Sequence, residues 1–383
     1  MRLASARMRL ALALWAAALI RTIRAAPSAV AAAFLATALL WSEPAAACPV
    51  CASSAGPTVV QALQESERAV IARLEPDGRP RVIEVIKGAG SVGESLDLLI
   101  RPAAQASGPG RPTEAPALVM VKSAAGGGWS LIGAVDAQRA PWLRSLARMP
   151  AASGLSNAGW IERIGLFLPL LEDHEPLVAE TAYGEISKAP YAAMRALRDR
   201  LDGTQLARWT ESAPLADRRP LYLLLLGLSG SADDAQSIER QLLRPSVAMT
   251  RPDLPALAAA LLELGGQDKL DWLESNWLLN EDRPVSLLQQ VLVALSVHGS
   301  EQGRIPRQAI VQSYLRFIER RPRLGGLVAQ DLATWGIWEA TPFYAQAIQL
   351  ADAPIASRVA MAQYLRVSPH PAARDALKKA MGR

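Results

Sequence analysis

The stretch FLPLLEDHEPLVAETAYGEISKAPYAAMRALRDRL, Phe167–Leu201, decides the fold. Phe167, Leu168, Leu170 and Leu171 close one short helix. Asp173-His174-Glu175-Pro176 makes a turn, in which Asp173 is a capping residue and Pro176 falls in the first turn of the next helix, where a missing N–H costs least. Leu177, Val178, Ala182 and Ile186 then recur at helical spacing, and Ala189-Pro190 restarts the pattern with Tyr191, Met194, Leu197 and Leu201 on one face. A short helix, an acidic turn and another short helix, repeated, predict an α-solenoid.

The pattern continues to the C-terminus. Segments near 206–210, 219–228, 234–243, 256–264, 268–278, 285–298, 306–320, 324–334, 342–350, 355–365 and 372–381 read as helices. Gly265-Gly266 and Pro306 mark a stop and a start. Helices this short bury their apolar faces only by stacking on neighbours.

Working toward the N-terminus, the period changes before residue 150. Ala69–Leu74, Arg81–Gly88, Gly93–Ile100, Ala117–Val121 and Trp129–Val135 read as five strands, and residues 103–116 as a loop rich in Pro, Gly and Ala. Short strands without helical crossovers predict a small antiparallel barrel, closed by a helix from Ala140 to Ala147.

At the far N-terminus, Arg21 and Arg24 precede the apolar run Ala29–Trp41 and then Ala45-Ala46-Ala47, the pattern of an export signal cleaved before Cys48. The expected organisation is therefore a signal peptide over 1–47, a β module over 48–150 and a helical array over 151–383. Export implies the periplasm or cell envelope. An uncleaved anchor and lipidation of Cys48 are the two alternatives that would bring a membrane in; Ala45 stands where a lipidation signal prefers Leu.

Half of the 383 residues are hydrophobic but only 5% are aromatic, which suits helices packed through small side chains. The formal charge of +5 does not indicate a nucleic-acid binder. Arg2, Arg7, Arg9, Arg21 and Arg24 against Glu43 place +4 of it before Cys48, so about +1 remains, with no basic stripe.

The only cysteines, Cys48 and Cys51, form Cys-Pro-Val-Cys at the expected mature end. In an oxidising compartment a structural disulfide is the first expectation. The alternative is envelope thiol-redox or copper handling, since two thiolates suit Cu(I). Redox enzymes, however, place such a pair after a strand at a helix N-terminus, and none is expected here. Ala52 stands where haem attachment needs His, and His174, His298 and His370 are too scattered to complete a zinc site.

The short helix Thr58–Gln64 followed by ERAVIARL, VIEVIKG and GESLDL resembles the netrin-like, OB-type modules of tissue inhibitors of metalloproteinases and of many bacterial secreted proteins. The several disulfides of the animal members are missing, so their inhibitory activity is not implied. LLEDHEPLVAETAYGEI resembles HEAT-type repeats. The whole is similar to a group of secreted bacterial proteins with Cys-Pro-x-Cys at the mature end, a small β module and a unit matched here by Glu180–Glu185 and Ala189-Pro190-Tyr191, together with Tyr222–Gly227 and Ile305-Pro306-Arg307. The resemblance implies architecture and export, and no activity.

No nucleophile–base order, phosphate loop or metal-binding motif stands out. Glu172, Asp173, His174 and Glu175 cluster at one turn, where capping explains them more simply than a metal or acid–base site. Tyr183, Pro190, Tyr191, Trp335 and Trp338 are the candidate interaction surface, with core packing the competing role. The expectation is a non-catalytic scaffold without cofactor that binds a protein partner in the envelope through its helical surface.

Overall fold

The computed structural model describes residues 50, 56–100, 117–124, 126–245, 250–300 and 303–381. Cys48, Cys51 and the expected signal peptide lie outside the described residues.

Thr58 opens helix α1 (Val59–Glu65) with a capping box: its hydroxyl accepts from the Gln61 N–H, and Gln61 returns the bond to the Thr58 N–H. The chain then passes directly into β1 (Ser66–Leu74), followed by β2 (Pro80–Lys87), β3 (Ala117–Ser123) and β4 (Trp129–Val135). All pairings are antiparallel, in the order β2-β1-β3-β4. The sheet is therefore open. The expected third strand, Gly93–Ile100, makes only a bridge from Ser95 to Arg81. A left-handed turn at Gly93 and the bonds Val82 N–H to Glu94 O and Leu96 N–H to Pro80 O fasten this segment along β2, but the chain then turns Leu96 into a second small core with Val70, Ala72, Val82 and Met120 instead of extending.

Helix α2 (Ala140–Arg148) closes the β region, as the sequence predicts. Helices α3 (Asn157–Phe167), α4 (Pro176–Ser187) and α5 (Tyr191–Arg195) follow. Asp173 does not cap α4 directly; it accepts the Glu175 N–H at 2.9 Å and shapes the turn, while Pro176 takes the first helical position. Next come α6 (Gly203–Glu211), α7 (Arg219–Ser229), α8 (Ala232–Leu243), α9 (Leu254–Gly265), α10 (Gln267–Leu273) and α11 (Val285–Ser300). The described chain ends with α12 (Arg307–Arg320), α13 (Ala329–Thr334), α14 (Thr341–Ala347), α15 (Ile355–Val367) and α16 (Pro371–Met381). No helix among the described residues is long and apolar enough to cross a membrane.

Helix α7 shows how the array holds together. Every residue from Pro220 to Leu228 is buried, and α7 packs on α6 and α9. Fully burying one leucine side chain contributes about 1.5–3 kcal/mol. Gly227 lets the α7 and α9 backbones approach: a Cβ there would lie 2.5 Å from the Ala260 Cα. One hydrophobic core runs without a break from Val60 and Ile71 to Ala376. It takes in one face of the sheet. A buried polar link reinforces it, with the Thr58 hydroxyl donating to Glu185 Oε1 at 2.5 Å and Arg163 Nε to Glu185 Oε2 at 2.6 Å.

Candidate functional site

A cavity of about 810 Å³ opens where the sheet meets α4. Its floor is Arg73 of β1, Ala117 of β3 and the consecutive β4 residues Ile132, Gly133, Ala134 and Val135. Glu175, Pro176, Leu177 and Glu180 form the opposite wall, with Arg218 beside them. Gly133 is set by close approach, because a Cβ there would meet Leu177 Cδ1 at 2.6 Å. A cavity of this size, mainly apolar with a few polar groups at its rim, is within the usual range for ligand sites.

The charges of the rim are built into the fold. Glu175 accepts from the Asp136 N–H at 2.7 Å and from Arg139 Nε at 2.5 Å, and this bond to Glu175 raises the Arg139 pKa further. Arg139 also reaches Asp173 at 3.4 Å. His174 is exposed and lies 3.1 Å from Asp173 Oδ1. Asp173, His174 and Glu175 offer ligand atoms within 4.8 Å of one another. Arg139 already supplies the positive charge that a metal would bring to the two carboxylates, so the turn is accounted for as a structural clasp between α4 and the end of β4.

On the other side, Glu172 adopts a positive φ of 58°. Its carboxylate accepts from Arg218 at 2.8 Å and from the Tyr222 hydroxyl. Burial first, and then the Glu172 bond and charge, push the Tyr222 phenol well up. Arg218 also reaches Glu180 at 3.1 Å and lies 5.7 Å above the Tyr183 ring. Tyr183 therefore backs the cavity wall.

The remaining sequence candidates fall elsewhere. Tyr191 is fully buried, its ring centroid 5.5 Å from that of His298 in an edge-on arrangement, and Pro190 is the half-buried N-cap of α5. Trp335 is half-buried, stacked 5.8 Å from Tyr314 under Arg307, and donates to the Ser300 hydroxyl. Trp338 tilts against Tyr364 at 5.2 Å. Both tryptophans lie in the connection between α13 and α14.

Sequence reasoning missed Arg73, Arg139, Arg218 and the β4 segment. These meet only through the docking of α4 on the sheet, and no local motif marks them. The one signal was Arg73 itself, a charge interrupting the apolar run Ala69–Leu74.

No protein-family model, no curated protein and no solved structure matches the chain.

Proposed function

We propose that the chain is a non-catalytic, exported interaction scaffold that holds a protein partner on its helical surface, with the partner seated in the cleft between β4 and α4. In this reading the helices are HEAT-like units stacked as a solenoid, and the sheet is a netrin-like, OB-like module that opens at this end. The observation that carries the proposal is the state of the cleft's rim. Its floor is open and apolar apart from Arg73, while the lining groups Glu175, Glu180 and Arg218 are held in ion pairs, Glu175 with Arg139 and Arg218 with Glu180 and Glu172. Groups held in this way shape a binding site, and the exposed imidazole of His174, which also lines the cleft, leans on Asp173.

The test is capture from envelope extract with the tagged mature chain. A stoichiometric protein should be retained, and Ala137→Trp, which fills the cleft from an exposed turn, should release it without lowering the melting temperature. A clean monomer under several growth conditions would count against a scaffold.

A further inference from the structure

We infer that α15 and α16 present a docking face for an anionic phospholipid surface, with Ile355, Val359 and Val367 entering the headgroup layer and Arg366, Arg374 and Lys378 meeting the lipid phosphates. This face shares no residue with the cleft between β4 and α4, and the inference does not depend on the scaffold reading.

The first observation is an apolar face turned to solvent. Ile355, Val359 and Val367 of α15 are 73%, 50% and 55% exposed. The other exposed large apolar residues of the described helices, Leu166, Leu243 and Val285, stand singly on α3, α8 and α11. Single residues of this kind are ordinary on a protein surface, whereas a grouped set marks an interaction site. At 3.6 residues per turn, Ile355, Val359, Gln363, Arg366 and Val367 fall within one arc of about 120°. The opposite arc, Ser357, Met361, Tyr364 and Leu365, is buried.

The second is that cations adjoin this face. Helix α16 packs on α15, and a cleft of about 540 Å³ beside them is lined by Arg366, Ser368, His370, Arg374 and Lys378, with Asp375 as its one carboxylate. Arg366 belongs to both features: it stands between Ile355 and Val359 in the arc and walls the cleft. Arg374 and Lys378 are four residues apart and so share a face of α16. Ala373 and Ala376 are buried on its other side. The helix dipole favours cations in a last turn, which accounts for Arg366, Lys378 and Lys379 on structural grounds alone. It gives no reason for Arg374 or for the apolar residues beside these cations.

The third is the distribution of charge along the chain. From Ile355 onward Arg358, Arg366, Arg374, Lys378, Lys379 and Arg383 stand against Asp375, a net +5. With the +4 before Cys48 set aside, residues 48–354 carry −4, which balances the formal +5 of the whole. An otherwise acidic chain therefore turns a basic face outward at α15 and α16, and a negatively charged plane would orient it by that face.

Cations alone suit any polyanion, and apolar side chains alone suit any apolar partner. Both together on one helical face are the composition of a segment that lies in a membrane interface, with its apolar side chains below the headgroups and its cations at the phosphates.

The experiment is flotation of the mature chain, residues 48–383, made without its signal so that Cys48 carries no lipid. The vesicles are phosphatidylglycerol and phosphatidylcholine in equal parts, or phosphatidylcholine alone. The chain should float with the anionic vesicles only, and salt near 1 M, where the screening length is about 3 Å, should release it. Each cation near an anionic surface is worth about fivefold in affinity, so Arg366→Gln, Arg374→Gln and Lys378→Gln together should weaken binding about a hundredfold. Ile355→Ser with Val359→Ser should weaken it at unchanged charge. All five positions lie on the outer face of the helices, so both variants should melt with the parent. No flotation, equal flotation on neutral vesicles, or full binding by either variant would overturn the assignment. So would binding to heparin without binding to vesicles, or a salt-sensitive dimer in their place, which would give the face to a polyanion or to a second copy of the chain. Loss of the protein partner in envelope capture would sink the scaffold and leave the vesicle result standing.

Discussion

At the scale of single residues, His298 sets a pH dependence. It is buried on α11, with Nε2 3.2 Å from the Ala259 carbonyl oxygen and Tyr191 against its ring. Burial pulls its pKa down to about 4, with Glu263 opposing and Arg195 assisting. Glu263 is itself fully buried and paired with Arg195 at 2.8 Å. In the unfolded chain the imidazole titrates near the usual 6.5, so between about 6.5 and 4 the unfolded state binds the extra proton. Stability from this group is complete above 6.5 and is lost as pH falls toward 4. At about 1.4 kcal/mol per pH unit, the loss is on the order of 3 kcal/mol. Urea unfolding at pH 7 and pH 4.5 should show that slope in the parent. His298→Gln, which keeps a donor for Ala259, should lack it, and equal slopes in the two proteins would remove His298 as the cause.

At the scale of elements, the helices were legible because each carries its own period and stops. The expected spans over 219–228, 285–298 and 355–365 differ from α7, α11 and α15 by a residue or two at one end. Pro176 and Pro306 stand at helix starts as expected. Gly93–Ile100 was misread because being a strand depends on the partner, and here a left-handed glycine and a buried Leu96 draw the chain away after one bridge. Close approach between elements was equally invisible. Gly227 looks like an ordinary mid-helix glycine, for which alanine would add about 0.5–1 kcal/mol of stability. The structure reverses the sign, since the new Cβ would meet the Ala260 backbone, which cannot swing aside. Gly227→Ala should instead destabilise by about 1–3 kcal/mol. The urea midpoint decides between these, and an increase would mean that α7 and α9 can separate without loss.

At the scale of the whole molecule, the sequence drew a boundary near residue 150 from its change of period. Physical continuity follows burial instead. Leu63, Ile71 and Val119 on the sheet side share one core with Ile164, Val178 and Ala182 on the helical side. The Thr58–Glu185–Arg163 link ties α1 to α3 and α4 across the same junction, with Glu185 only 2% exposed. The cleft lies on this junction too, which is why its residues were scattered through the sequence without a motif. Cutting at residue 150 would expose that apolar face and leave Thr58 without its carboxylate partner. A span of about a hundred residues with one face of its sheet uncovered keeps too little buried area to offset its conformational entropy. A fragment covering 48–150 should therefore show no cooperative urea transition. In the full chain, amides of β1 and α4 should lose hydrogen-exchange protection in the same opening event, with matching free energies. Independent cooperative unfolding of the fragment, or protection at β1 that outlasts α4 by several kcal/mol, would show that the sheet stands alone and that the junction, cleft included, is only a contact between two self-sufficient parts.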